Sequence, residues 1–262
     1  MKRTEGKKWQ AAEHLLGTKE NFLTISRAEN VLLLGKSVAV MCVIDYFFYR
    51  SVWVMLLLSF VGVMYYRTEK EALLLKKKGE TREQFKELML LVSTGQKAGY
   101  SAENAFLSAY RDMKHLYGED SNICKMLCIL KSGRENNVDF SGLWHQIGSQ
   151  ADILEIKEFA SVYEIAGKSS GDMAAVMEKT AGIIVRKLET EKEIEVLLSA
   201  RKLEQKIMNS MPFLIMFYIN ITSPGYFDKL YHSFIGGVVM TLCLMIYLGA
   251  YAMSRKIAFV EL

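Results

Sequence analysis

The stretch 85–113, FKELMLLVSTGQKAGYSAENAFLSAYRDM, decides how this sequence is read, and an imperfect echo of it stands at 155–185, EIKEFASVYEIAGKSSGDMAAVMEKTAGIIV. Each half reads as an apolar helix, a turn built on Gly and Ser, and a second apolar helix opened by a capping residue. In the first, Phe85, Leu88, Met89, Leu91, Val92 and Gly95 recur at helical spacing and form one broad apolar face. Gly99 supplies a left-handed C-cap, Tyr100 follows, and Ser101 can cap the next helix, with the Asn104 side chain placed to reach back as in a capping box. In the second, Phe159, Val162, Tyr163 and Ala166 lead into Gly167-Lys168-Ser169-Ser170-Gly171, and Asp172 opens a helix through Met173, Val176, Met177 and Thr180. Two hairpins of like design are expected to pack as one all-α bundle. Between them, 124–130 reads as helix, 136–139 as a turn, and Asp139 as the cap of a helix carrying Phe140, Leu143, Trp144 and Ile147, which brings the bundle to about six helices.

The ends of the chain have a different composition. Of 262 residues 51% are hydrophobic, and the apolar ones gather at both ends while the middle is mixed. Residues 31–66 are apolar except for Lys36, Asp45 and Arg50. As one helix they would run to roughly 54 Å, against a hydrocarbon core of about 30 Å, so the stretch must fold back or tilt strongly. It reads as a transmembrane hairpin, 31–48 and 52–66, turning at Tyr49-Arg50-Ser51 within an aromatic belt; the second arm is short, which leaves a re-entrant hairpin open as the other reading. Met208 to Thr222 gives a third span around Pro212 (domain 207–222), 223–233 an extracytoplasmic loop, and 234–253 a fourth span followed by Arg255 and Lys256.

Charge orients these spans. Residues 67–79 carry Arg67, Lys70, Lys76, Lys77 and Lys78, and of 33 basic residues only Arg50 and Lys229 fall on the opposite side. The positive-inside rule then places the middle region, 67–206, and both termini, 1–30 and 254–262, in the cytoplasm of a multi-pass protein of the plasma (inner) membrane. Residues 1–27 lack the apolar core of a cleaved signal; they read either as a loose arm or as an amphipathic segment lying on the membrane. Within 183–206 acid and base alternate, the pattern of a solvated or partner-facing helix. A net charge of +4 gives no footprint for nucleic acid.

The search for chemistry returns little. Gly167 to Gly171 fits G-x-S-x-G, but that nucleophile elbow needs a strand before it and acid and His partners after it, and the only later histidine is His232. Gly35-Lys36-Ser37 and Gly167-Lys168-Ser169 lack the earlier Gly of a phosphate loop, Asn30 and Val162 standing in its place. Cys124 and Cys128 share a helical face without further ligands, and the four histidines are scattered, so no metal site is expected. No cofactor is expected, and the chain does not read as an enzyme. Glu155, Glu158 and Glu164 remain as exposed acids at helical spacing, open to partner contact or to simple solvation.

Three motifs in order, AGYSAENAFLSA, EFASVYEIAGKSSGDMAAVMEKTA and a downstream Lys202-x-EQKIMNSMPF, resemble the F-domain of type II secretion systems. The resemblance runs from about Gln84 to the C-terminus, and the single F-domain is most similar to the inner-membrane platform proteins of Tad (Flp-pilus) machines that work as a pair. It implies a platform subunit coupling a cytoplasmic hexameric ATPase to pilin extraction and polymerisation, with a second F-domain subunit or another copy, and membrane lipid, as further partners. It also implies that the surfaces around Gly99, Tyr100, Ser101 and Asn104, and around Gly167, Ser170, Gly171 and Asp172, are structural signatures. Lys168 departs from the family pattern, which often has an acid there, so a divalent-ion site known in some members is not carried over. Two rivals are a permease-type transporter component and a membrane-embedded enzyme. The latter has only Asp45, Asn220 and Thr222 to draw on.

Overall fold

The computed structural model describes residues 25–48, 52–168, 173–223, 225–226 and 233–259. Among these the chain is all-helical: α1 (Arg27–Phe48), α2 (Val52–Lys97), α3 (Ala102–Tyr117), α4 (Asn122–Glu135), α5 (Phe140–Ala151), α6 (Leu154–Lys168), α7 (Met173–Thr222) and α8 (Phe234–Phe259). Two compact units result, one comprising Ala72–Thr190 and the other Ser26–Glu71 with Glu191–Leu262, so the division falls inside α2 and inside α7.

That placement corrects two boundaries expected from sequence. The 52–66 arm is not a separate helix, because α2 continues through the basic segment to Lys97. Glu, Lys and Leu dominate the join, all good helix formers, and the lone Gly79 does not interrupt it. Likewise 183–206 and 207–222 belong to one helix, α7, which runs 50 residues with Pro212 inside it. Nothing between Ile183 and Met211 is Gly or Pro, so the chain has no local reason to stop.

The first unit is built on turn chemistry. The end of α2 closes in a Schellman motif: Gly99, at φ 93°, donates to the Gln96 carbonyl at 2.9 Å and Tyr100 to that of Gly95 at 3.1 Å. Ser101, Ser121 and Asp139 cap α3, α4 and α5 with side-chain oxygens. Asp152, left-handed at φ 50°, ends α5, and only Ile153 separates it from α6.

Helical periodicity then loads one core. Phe85, Leu88, Met89 and Val92 from α2 meet Phe106 and Met113 from α3, Leu127 from α4, Trp144 from α5, Phe159 from α6 and Met177 from α7, all of them fully buried. Both hairpins therefore contribute to a single core. Its centre is aromatic: Phe106 lies 5.1 Å from Trp144 and 5.8 Å from both Phe140 and Phe159, and Trp144 lies 4.9 Å edge-on to Phe159. Each such side chain contributes about 1.5–3 kcal/mol by leaving water.

Glycines set the closest approaches. A Cβ on Gly148 of α5 would stand 3.2 Å from the Lys157 Cα and 3.3 Å from its amide nitrogen, so the backbones of α5 and α6 touch. Gly148→Val is therefore expected to destabilise the protein by about 1–3 kcal/mol through overpacking, read as a lower midpoint in thermal unfolding of the detergent-solubilised chain.

In the second unit, Ile44 of α1 packs with Met240 and Leu244 of α8, flanked by Val61 of α2 and by Phe213 and Met216 of α7. A Cβ on Gly62 would overlap the Met41 sulfur, so α1 and α2 run close together there. Polar pairs mark two levels. At one, the Tyr66 hydroxyl donates to Asn30 Oδ1 at 3.3 Å and Gln205 Nε2 donates to the carbonyl and hydroxyl oxygens of Ser254. At the other, Asn220 Nδ2 donates to the Tyr46 hydroxyl at 3.5 Å. The helical rise puts Asn30 about 24 Å from Tyr46 along α1.

Two helical segments, Arg27–Phe47 and Ile235–Ser254, are long and apolar enough to cross a membrane. In each, 17% of the most apolar 18-residue window is buried.

Candidate interaction surface

The first turn signature keeps its expected local form with one correction. Ser101 Oγ accepts from the Asn104 amide at 3.4 Å, so the cap is real. The Asn104 side chain does not reach back, however: its oxygen accepts from Arg134 of α4 at 2.5 Å, and the same guanidinium lies 3.5 Å from Glu103. A charged donor is the stronger partner, and it ties the α3 start to the α4 end. Tyr100 is 56% exposed, and its ring lies beside Gly95.

Of the second signature, Gly167 lies within α6, exposed, while Ser169, Ser170, Gly171 and Asp172 are outside the described residues. The end of α2 nonetheless meets the first turns of α7. Lys97, two residues before Gly99, pairs with Glu178 in the second turn of α7 at 2.7 Å. The end of α2 and the first turns of α7 therefore lie side by side.

The three acids separate. Glu155 is not exposed: it is 2% accessible and accepts from Arg82 of α2 at 2.6 Å and Lys187 of α7 at 2.9 Å. It lies in the first turn of α6, where the helix dipole favours a carboxylate, between Arg82 of α2 and Lys187 of α7. Burial alone pushes its carboxyl up, yet the hydrogen bonds from Arg82 and Lys187, with its own backbone amide, outweigh this and hold it below 4.5. Glu164 accepts from Lys168 at 2.5 Å and lies 2.8 Å from His145 Nε2, and hydrogen bonds from these two hold its carboxyl low. Glu158 is exposed on α6.

Sequence reasoning missed the partners of Glu155. Arg82 stands 73 positions before it, and nothing local marks either Arg82 or Lys187 as a clamp. A second pair of cations, Lys78 one turn before Arg82 and Lys157 on α6, holds Asp152 at 2.8 and 2.6 Å. The hydrogen bonds from Lys157 and then Lys78 pull the exposed Asp152 carboxyl down to about 2.

The thiols differ in access to solvent. Cys124 is buried, but Cys128 is exposed, as are Cys42 and Cys243. Four residues on one helix leave Cys128 at the margin of the core, beside Tyr110. Among the described residues no group of three or more His, Cys, Asp or Glu side chains is gathered as a metal site. Pro212 is half-buried in α7 of the second unit.

What the arrangement offers chemically is a braced helical body with an exposed tyrosine, Tyr100, at the α2–α3 turn. No family model, no curated protein and no solved structure matches the chain.

Proposed function

We propose that this chain is a membrane platform subunit of a type II secretion or Tad-like type IV pilus machine, coupling a cytoplasmic ATPase to pilin extraction and polymerisation. The observation that supports the reading is the Lys97–Glu178 pair, which sets the end of α2, beside the first sequence signature, against the start of α7, which follows the second. The surface there, with Tyr100 on it, is the contact for the ATPase or for a second F-domain subunit. Such a part requires braced helices and complementary surfaces, and no bond chemistry of its own.

The membrane part of the proposal has four spans and both termini in the cytoplasm. It is supported by the two polar levels of the second unit, between which α1, the first part of α2, the last part of α7 and α8 all run. Their spacing of about 24 Å approaches the hydrocarbon thickness.

Cys128 offers the topology test. In a chain carrying Cys42→Ser, Cys124→Ser and Cys243→Ser, a membrane-impermeant maleimide should label Cys128 only after the cells are permeabilised. Labelling in intact cells would overturn the cytoplasmic placement. For the coupling role, a photo-crosslinking residue at Tyr100 should yield an adduct with a hexameric secretion ATPase or a second F-domain subunit. Solute transport by the purified protein in vesicles, with no such adduct, would favour the permease instead.

A further inference from the structure

Charge and apolar surface meet abruptly on three helices of the second unit. On α1, exposed Arg27 stands one turn from Val31 and Leu32, themselves 69% and 59% exposed. On α2, Val63 and Met64, 55% and 59% exposed, give way to exposed Arg67 and Lys70. On α7, exposed Arg201 and Lys206 and half-buried Lys202 lead directly to Ile207 and Met208, 51% and 75% exposed. These three transitions share one level. The Tyr66–Asn30 hydrogen bond sets Arg27 beside the stretch that carries Arg67 and Lys70, and the Gln205–Ser254 bonds mark the corresponding point on α7.

None of the six cations makes an ion pair among the described residues. Glu69, Glu71 and Glu204 lie at the same level without engaging them, and Glu29 is occupied by the Ser26 amide at 2.7 Å. The first unit behaves otherwise, with Glu155 and Asp152 each held by two cations. An excess of uncommitted positive charge, set edge to edge with exposed hydrocarbon on three separate helices, is complementary to a ligand with an anionic head and apolar tails. A soluble anion matches only the first half of that surface, and an apolar protein face only the second.

We propose that this level is a binding belt for anionic phospholipid, its phosphates held by Arg27, Arg67 and Lys70 on one side and by Arg201, Lys202 and Lys206 on the other. The belt rests on the membrane reading above and gives it a lipid preference. Each basic side chain near an anionic surface is worth about a fivefold preference.

The test compares full-length protein extracted in mild detergent from membranes containing phosphatidylglycerol and phosphatidylethanolamine, with the retained lipids quantified by mass spectrometry. Wild-type protein should retain phosphatidylglycerol in excess of its share. The triple variants R27Q/R67Q/K70Q and R201Q/K202Q/K206Q should each lose at least fivefold of that enrichment while keeping total lipid and thermal midpoint. R111Q/K125Q/K131Q, which removes the same charge from exposed sites in the first unit, should keep the enrichment. Unchanged enrichment in both belt variants, or an equal loss in the control, overturns the belt while leaving the membrane reading in place. Protein recovered in the soluble fraction after a carbonate wash overturns the membrane reading, and the belt with it.

Discussion

Phe106→Ala is expected to destabilise the 72–190 unit by about 3–5 kcal/mol, the cost of emptying an aromatic site that cannot collapse. Phe106 is fully buried, and four rings surround it: Phe140, Trp144, Phe159 and Tyr163. They come from α5 and α6, whereas Phe106 comes from α3, so the substitution removes ring contacts that join the two hairpins, another being that of Phe85 of α2 with Phe159 at 5.6 Å. Phe106→Leu, which retains most of the volume, should cost roughly 1–2 kcal/mol. Denaturant titration of the purified chain in detergent, followed by hydrogen exchange over residues 72–190, separates the two variants. Wild-type protection in Phe106→Ala would show that the core does not depend on the Phe106 ring.

Glu155→Ala should cost roughly 3 kcal/mol at neutral pH, because it strips a nearly inaccessible carboxylate from between Arg82 and Lys187 and leaves two cations facing each other. Both cations keep some access to water, which holds the figure to the lower end of what a broken buried pair costs. Arg82→Met leaves Lys187 as a partner and should cost less. The pH dependence follows from the direction of the Glu155 shift. A carboxyl held below 4.5 in the folded state contributes stability above that value and loses it as the pH falls through the lower, folded value. Asp152, drawn from 3.8 to about 2, adds to the same acid window between those two values. Unfolding measured from pH 7 down to pH 2 should therefore show the wild type losing its advantage over Glu155→Ala below about pH 4.5. A constant difference across that range would mean that the residue acts by packing rather than by charge.

The sequence announced the helices and their caps more clearly than their partners. Ser101, Asp139 and Gly99 were legible because capping needs a particular residue at a particular offset, and each does the local task its position demands. The buried faces were equally legible, since Phe85, Leu88, Met89 and Val92 repeat at the helical period. Long helices were harder to delimit. Composition changes sharply at Tyr66 and at Ile207, but composition reports the solvent around a helix and not whether its backbone stops. Side-chain destinations were the least legible. Asn104 has a local bond within reach and takes a distant arginine, and Glu155 looks solvent-facing until two other helices close on it. Such outcomes depend on tertiary placement, which spacing along one helix does not encode.

The connections of the first unit are unequal in length, and that inequality has a practical consequence. Gly118, Glu119 and Asp120 are exposed between α3 and α4, and Gly118 adopts φ 82° without a neighbour within 4 Å of where a Cβ would stand. The α5–α6 corner has no such slack, with Ile153 2% exposed and Asp152 gripped by Lys78 and Lys157. An epitope tag or fluorescent reporter spliced in after Gly118 should leave the bundle intact, whereas the same insert at Ile153 would pry apart the close α5–α6 backbone contact at Gly148.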